Sequence, residues 1–581
     1  MSQESLDAAR QASALRQNPR LDRRRFLQST GALGVALGAA AAGPAAANAT
    51  GTPTLTDRQQ ASRFLAQATF GDDVSQIDAV ESAGPAAWLD AQMALPRQAL
   101  LPEVFALIDA AGPEPELIFY FDWVWWKHVM TQPDVVRHRV TFALSQIFVI
   151  SRQPEEIYED SRATGAYWDV LADHAFGNFR DLLLQVALQP SMGIYLSHLY
   201  NRRSDPTLNR FPDENFAREV MQLFSIGLFE LNPDGTRQLD SDGKPIPTYG
   251  NAEITEMAKI FTGLSLAPEE PGGEISFGDR GLQTRHLPMV MYEPEHEPGP
   301  KTLLNGFVVP EGQTGMQDIE MAIDHLFNHP NVGPFLATHL IKFLVTSNPS
   351  AAYVGRVSAA FDDNGSGVRG DLAAVVRAVL LDSEARDPAN LQDPQFGKVR
   401  EPLVRWVQLG RAFHATSDSG LYRHFGADQL EPFLPEPERV FLAQYPFMAP
   451  SVFNFFSPTH QPAGALTDAD LVAPELEIIH AYTAVATINA IDRAVIQSFY
   501  LYDYDPDAII SLDLAPELAL AQTDPELLID HLDLILTYGT LSDTTRTTVR
   551  DAILPLSANP QNQVRLALYL MMISPEYAVL R

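Results

Sequence analysis

Three stretches, Glu116–Thr131, Val135–Ser151 and Trp168–Gln189, carry apolar and aromatic residues around most of a helical circumference. Segments of this length and spacing bury themselves against other helices rather than alternate across a sheet. They predict a buried helical bundle. The pattern recurs along the chain. Thr56-Asp57-Arg58-Gln59 reads as a capping box before Ala61, Phe64, Leu65 and Ala68, and Pro85 opens a short helix through Trp88 and Leu89. Met316, Ile319, Ile323, Leu326 and Phe327 share one helix face, Val332–Leu344 forms another helix, and Asp371 caps a third running to Leu381. Glu401–His414, Glu475–Ser498, Asp524–Leu536 and Val564–Ile573 continue the series.

Two segments break the helical period. Between residues 228 and 249, Asn232-Pro233-Asp234-Gly235 and Asp240-Ser241-Asp242-Gly243 supply turn chemistry for a small β-hairpin. From residue 267 to 310 the chain is rich in Pro, Gly, His and Met without periodicity, a long irregular insertion. The expected fold is all-α, a large multi-helix bundle carrying that hairpin and that insertion. Residues 50–581 read as one large helical domain, with two lobes at 50–266 and 311–581 as an alternative division.

The first forty-nine residues differ in composition. Arg23-Arg24-Arg25-Phe26-Leu27 precedes a weakly hydrophobic, uncharged Gly/Ala run, Gly31 to Ala42, too short to span a bilayer, and Ala47-Asn48-Ala49 is a small-x-small cleavage site. This is the pattern of a twin-arginine signal peptide, so the translocase of that pathway is an expected partner and the periplasm or the extracellular space the expected destination. The chain has no cysteine, which suits folding in a reducing compartment before passage to an oxidising one. It also removes thiolate metal sites, c-type haem and cysteine nucleophiles. With 41 basic and 73 acidic residues the net charge is −32. Such a surface repels phosphate backbones and anionic lipid, so nucleic acid is not an expected partner, and no membrane span follows the leader.

Six ordered strings carry a family resemblance: AFGNFRDLLLQVALQPSMGIYL, PDENFAREVMQLFSIGLFELNPDG, HEPGPKTLLNG, HPNVGPFLATHLIKFLVTSNPS, GDLAAVVRAVLLDSEA and APSVFNFFSP. Together they resemble the bacterial family catalogued as domain of unknown function 1800, from about Ala61 to the C-terminus. The resemblance implies a secreted helical protein, often found beside an exported family related to sulfatases and alkaline phosphatases. It supplies no catalytic residues.

Site candidates therefore come from residue chemistry. A helix entered through Pro212 and Asp213 places Asn215, Arg218, Glu219 and Gln222 on one polar stripe, with Phe216, Val220, Leu223 and Phe224 flanking it. Buried Arg and Glu need partners, so the stripe is either a packing network or a ligand site. In the insertion, His286 follows Thr284-Arg285, and His296-Glu297 precedes Gly299-Pro300-Lys301. Glu219, His286 and His296 suit a divalent metal such as zinc, manganese or iron. Glu219, His296, Glu297 and Lys301 suit acid/base catalysis, with Asn215, Arg218 and Gln222 binding substrate. Asp362-Asp363-Asn364-Gly365 starts like a calcium loop, but Ala373 stands at its twelfth position, so it reads as a turn. Asp234, Asp240 and Asp242 read as turn residues. Arg137-His138-Arg139 reads as a salt-bridge hub or an anion contact, and His128, His174 and His198 as core histidines. Two functions follow: an exported metal- or acid/base-dependent hydrolase, or a non-catalytic exported protein binding the sulfatase-like partner.

Overall fold

The computed structural model describes residues 55–112, 117–278, 281, 283–422, 442–496 and 510–581. The expected leader and cleavage site, the start of the Glu116–Thr131 segment and the end of Glu475–Ser498 lie outside them. The described residues are 55% helical, with 25 α-helices and only two-stranded sheets among them. Residues 55–462 and 471–581 belong to one compact unit; residues 463–470 group apart from it and contain the single helical turn Ala465–Asp468.

Local chemistry sets many helix ends. Thr56 accepts from the Gln59 amide and Gln59 returns the bond, closing the expected capping box on Asp57–Ala68. Asp371 accepts from the amides of Ala373 and Ala374 to start Leu372–Leu381, and Thr314 forms a second capping box on Gly315–Phe327. The aromatic bundle is present, with shorter members. Val135–Ser145 ends six residues before the expected Ser151, and Trp168–Gln189 is two helices, Ser161–Asp173 and Phe179–Ala187. The break falls where Asn178 caps the second helix through the Arg180 amide. Trp125 meets Trp126 and Trp168 edge to face, at 4.7 and 5.6 Å between ring centroids.

Buried and half-buried arginines fasten the helices to one another. Arg63 donates to the Arg386 carbonyl at 3.1 Å, Arg137 to Ala172 at 3.1 Å, Arg139 to Phe343 at 2.6 Å, Arg400 to Leu536 at 3.1 Å, Arg405 to Met572 at 2.7 Å and Arg411 to Val129 at 3.1 Å. Each acceptor lies in the last turn of a helix, where carbonyls have no intrahelical donor. The Arg137-His138-Arg139 run thus serves mainly as two of these fasteners. The C-terminal strand Val579–Leu580 pairs antiparallel with Lys398–Val399, joining the end of the chain to the middle.

The 228–249 segment is more than a two-legged hairpin. Its legs near Glu230, Gln238 and Ile246 form a closed triangle: Gln238 N donates to Glu230 O, Ile246 N to Gln238 O, and Glu230 N to Ile246 O. Asp234 and Asp240 cap their own turns by accepting from the amides of Thr236, and of Asp242 and Lys244. The insertion is partly ordered by two small antiparallel pairs, Leu264–Ser265 with Val290–Met291 and Lys301–Thr302 with Val308–Val309. Asp363 accepts from the amides of Gly365 and Gly367, a turn leaving the helix that ends at Asp362. No helix among the described residues is long and apolar enough to cross a membrane.

Candidate functional site

The helix Asn215–Gln222 presents the expected stripe. Phe216 packs inward, stacked on His198 at 3.9 Å and edge-on to Phe261 at 4.7 Å. Along the stripe Asn215 is exposed, Arg218 and Gln222 are half-buried and Glu219 is 5% exposed. Arg218 pairs loosely with Glu214, one turn back at 3.7 Å, and Gln222 accepts from the Tyr249 hydroxyl at 3.1 Å. Glu219 is different. Its Oε2 is buried and has no hydrogen-bond partner among the described residues, and burial, only partly offset by Arg218, raises its carboxyl above the ordinary glutamate value. The phenols of Tyr195 and Tyr249 are pushed up to about 12 by burial and by the Glu219 charge, which places both within electrostatic reach of the carboxylate.

The insertion residues form a second, separate group. His296, Lys301 and Asp318 are 4%, 1% and 2% exposed. His296 Nδ1 donates to the Thr262 carbonyl at 2.9 Å, and its Nε2 lies 3.0 Å from Asp318 Oδ2. Lys301 is ion-paired with the same carboxylate, which also accepts from Gln313 at 2.9 Å. Burial pushes the Asp318 carboxyl up, but hydrogen bonds from Lys301, His296 and Gln313 outweigh it and leave the group below the usual aspartate value. Glu297 accepts from the Ser204 amide at 2.9 Å, while its own amide donates to Thr262 Oγ1.

Glycine makes room for this packing at two positions. A Cβ on Gly263, whose φ is +85°, would come 3.0 Å from the His296 amide nitrogen, and one on Gly315 would come 2.9 Å from the His296 ring. Every polar atom of the triad finds a partner, so the group ties the insertion to the helix Gly315–Phe327. Sequence reasoning missed Asp318; an acid in the first turn of a helix carried no separate signal.

Of the expected acid/base residues, His296 and Lys301 lie side by side, with Lys301 Nζ 3.3 Å from His296 Nε2. No hydrogen bond or ion pair joins Glu219 to His296, Glu297 or Lys301 among the described residues. His286 sits edge-on to Phe105 at 5.1 Å, beside Arg162 and Asp160. Among the described residues no three His, Asp or Glu side chains gather as a metal-ligand set, so Glu219, His286 and His296 do not form one. The chemistry divides accordingly: an unpartnered carboxyl at the foot of a polar stripe, and a satisfied buried ion cluster.

No curated protein and no solved structure matches the chain. Residues 63–579 match the family model described as protein of unknown function (DUF1800), and the chain belongs to that family.

Proposed function

We propose that the protein is exported by the twin-arginine route and works outside the cytoplasm as a hydrolase whose proton donor is Glu219. The observation that carries this reading is the buried Oε2 of Glu219 without a partner, on a carboxyl held above its ordinary value. Leaving such a group unmade costs stability, and that cost is retained where a ligand or a proton transfer uses the group. A protonated Glu219 donates to the leaving oxygen of an ester or glycosidic bond. Arg218 and Asn215, at the open end of the stripe, orient the substrate, and the Tyr249–Gln222 pair holds its near wall.

The test is hydrolysis of chromogenic esters and glycosides by the full-length protein and by Glu219→Gln. The reading expects a loss of at least roughly a hundredfold in kcat with the fold retained, the usual size of a general-acid contribution. Hydrolysis unchanged by Glu219→Gln overturns it. The export part is tested by a reporter fused behind residues 1–50, whose translocation should fail when Arg24 and Arg25 are replaced by Lys. The binding alternative, with the sulfatase-like exported protein as partner, draws on exposed apolar side chains such as Tyr482 and Val485, neighbours on the helix Ala481–Ile496 at 56% and 57% exposure.

A further inference from the structure

Leu208 and Phe211 are the two most exposed large apolar side chains among the described residues, at 68% and 70%. Both stand on one short finger, residues 201–213, that leads into the helix carrying Glu219. Their exposure does not come from slack in the chain. Asp205 and Arg210 exchange both backbone hydrogen bonds at 3.0 Å, which closes the finger. The Asp205 carboxylate also accepts from the Thr207 amide at 2.9 Å and starts the single turn Pro206–Leu208, and Asn209, at φ 49°, brings the chain back.

The base of the finger is braced from two sides. Ser204 N donates to Glu297 Oε2 and Arg203 N to the Glu295 carbonyl, both at 2.9 Å, and Arg202 pairs with the Glu295 carboxylate at 2.8 Å. On the other side the buried Asn201 clasps Asp213. It accepts from the Asp213 amide at 2.8 Å and donates to the Asp213 carbonyl at 3.2 Å. Asp213 in turn accepts from the Asn215 amide at 2.8 Å, so the finger is continuous with the first turn of the polar stripe. Phe211 lies four positions before Asn215, at most about 14 Å along the chain, and Asn215 four before Glu219, about 6 Å along the helix.

We propose that Leu208 and Phe211 seat the apolar arm of the substrate, so that the bond cleaved at Glu219 is that of an uncharged ester with a medium-length acyl chain; this rests on the hydrolase reading of Glu219. Two apolar side chains held rigidly in water are unfavourable in the free protein, and covering them contributes to binding without the cost of ordering a loop. A sugar ring needs hydrogen bonds around its rim, and the finger spends its own on itself: the Asp205 carboxylate is taken by the Thr207 hydroxyl, and the Asp205 backbone by that of Arg210. An acyl chain asks only for apolar area. A second copy or an anionic membrane is opposed by the net charge of −32. In the cleavage the water oxygen bonds to the ester carbonyl carbon and the bond to the alcohol oxygen breaks. That oxygen takes the Glu219 proton, and the carboxylate regains one from the water, which ends as the hydroxyl of the acid.

The experiment measures Glu219-dependent hydrolysis, the rate of the full-length protein less that of Glu219→Gln, on p-nitrophenyl acetate, butyrate and hexanoate. From acetate to hexanoate kcat/KM should rise at least roughly tenfold, since each added methylene, even half removed from water, is worth about twofold. The double variant Leu208→Ser/Phe211→Ser, folded because both side chains are exposed, should lower the hexanoate-to-acetate ratio at least about fivefold, through KM. A flat series, an unchanged ratio in the double variant, or faster Glu219-dependent hydrolysis of p-nitrophenyl glycosides than of the hexanoate overturns the proposal and leaves the role of Glu219 standing. If no ester shows Glu219-dependent hydrolysis, that role falls, and binding of decan-2-one followed by saturation-transfer NMR decides the finger separately. Binding that the double variant loses supports the apolar arm; no binding, or equal binding to both chains, overturns it.

Discussion

Replacing Asp318 decides whether the His296–Lys301 group is structural. Asp318→Ala removes the acceptor of three side chains, Lys301, His296 and Gln313, and leaves an ammonium 1% exposed with no counter-charge. Removing one partner of a buried pair in this way costs about 3–5 kcal/mol. Lys301→Met leaves Asp318 with His296 and Gln313 still donating, so its expected cost is smaller, about 1–3 kcal/mol. The double variant Asp318→Asn/Lys301→Met removes both charges and keeps an acceptor for Gln313. It should therefore be less damaged than the two single costs added together, with a coupling of at least about 2 kcal/mol.

Urea unfolding followed by tryptophan fluorescence measures these differences, since Trp125, Trp126 and Trp168 are all buried in the aromatic bundle. The acid side of the stability curve provides a second reading. The Asp318 carboxyl is held below its unfolded value, so its contribution is present above about pH 4 and is lost as pH falls through the lower folded value. The Asp318→Ala variant should lack that part of the acid transition. A cost under about 1 kcal/mol, or a double variant equal to the sum of the singles, would refute the idea that this triad holds the insertion in place.

Glu219→Gln should stabilise the fold by about 1–3 kcal/mol at alkaline pH and by little at pH 4. Its carboxyl is raised in the fold, so stability falls as pH climbs from the unfolded value through the folded one, and glutamine removes that loss. Gly397→Ala should cost more than about 2 kcal/mol by thermal denaturation. There φ is +111° and a Cβ would lie 2.5 Å from the Leu580 carbonyl oxygen, breaking the closure by the C-terminal strand. Thr56→Ala should cost about 1 kcal/mol through loss of the capping box. Arg405→Lys should cost more in the same assay than Arg58→Lys, because Arg405 is 9% exposed against the Met572 carbonyl and Arg58 pairs with Asp78 at the surface.

What the sequence made legible follows from range. Capping boxes, Asp371 as a cap and the limits of Val332–Leu344 depend on neighbours within a few residues, and these were readable. The stripe Asn215–Gln222 was readable for the same reason, since helical spacing alone sets its face. The partners were not. Asp318 meets His296 across 22 residues, and Glu297 meets Ser204 across 93, and no local pattern marks either meeting. The triangle at 228–249 was half legible: both turns showed in Asp-Gly pairs, but the third leg depends on Glu230 and Ile246 closing over Gln238.

The arginine fasteners bear on what can approach the proposed site. Arg63, Arg139, Arg400 and Arg405 are spent on helix-end carbonyls inside the unit, where their charge is turned away from solvent. Among the described residues buried acids and buried bases nearly balance, so the net charge of −32 is carried at the surface. A long-range field of that sign slows anionic ligands and concentrates neutral or cationic ones, most strongly at low ionic strength. It also opposes ionisation of Glu219, in the same direction as its burial. The charge distribution and the orphaned carboxyl thus favour one kind of encounter, in which a protonated Glu219 meets an uncharged oxygen, as in an ester or a glycoside, rather than a phosphate or a sulfate.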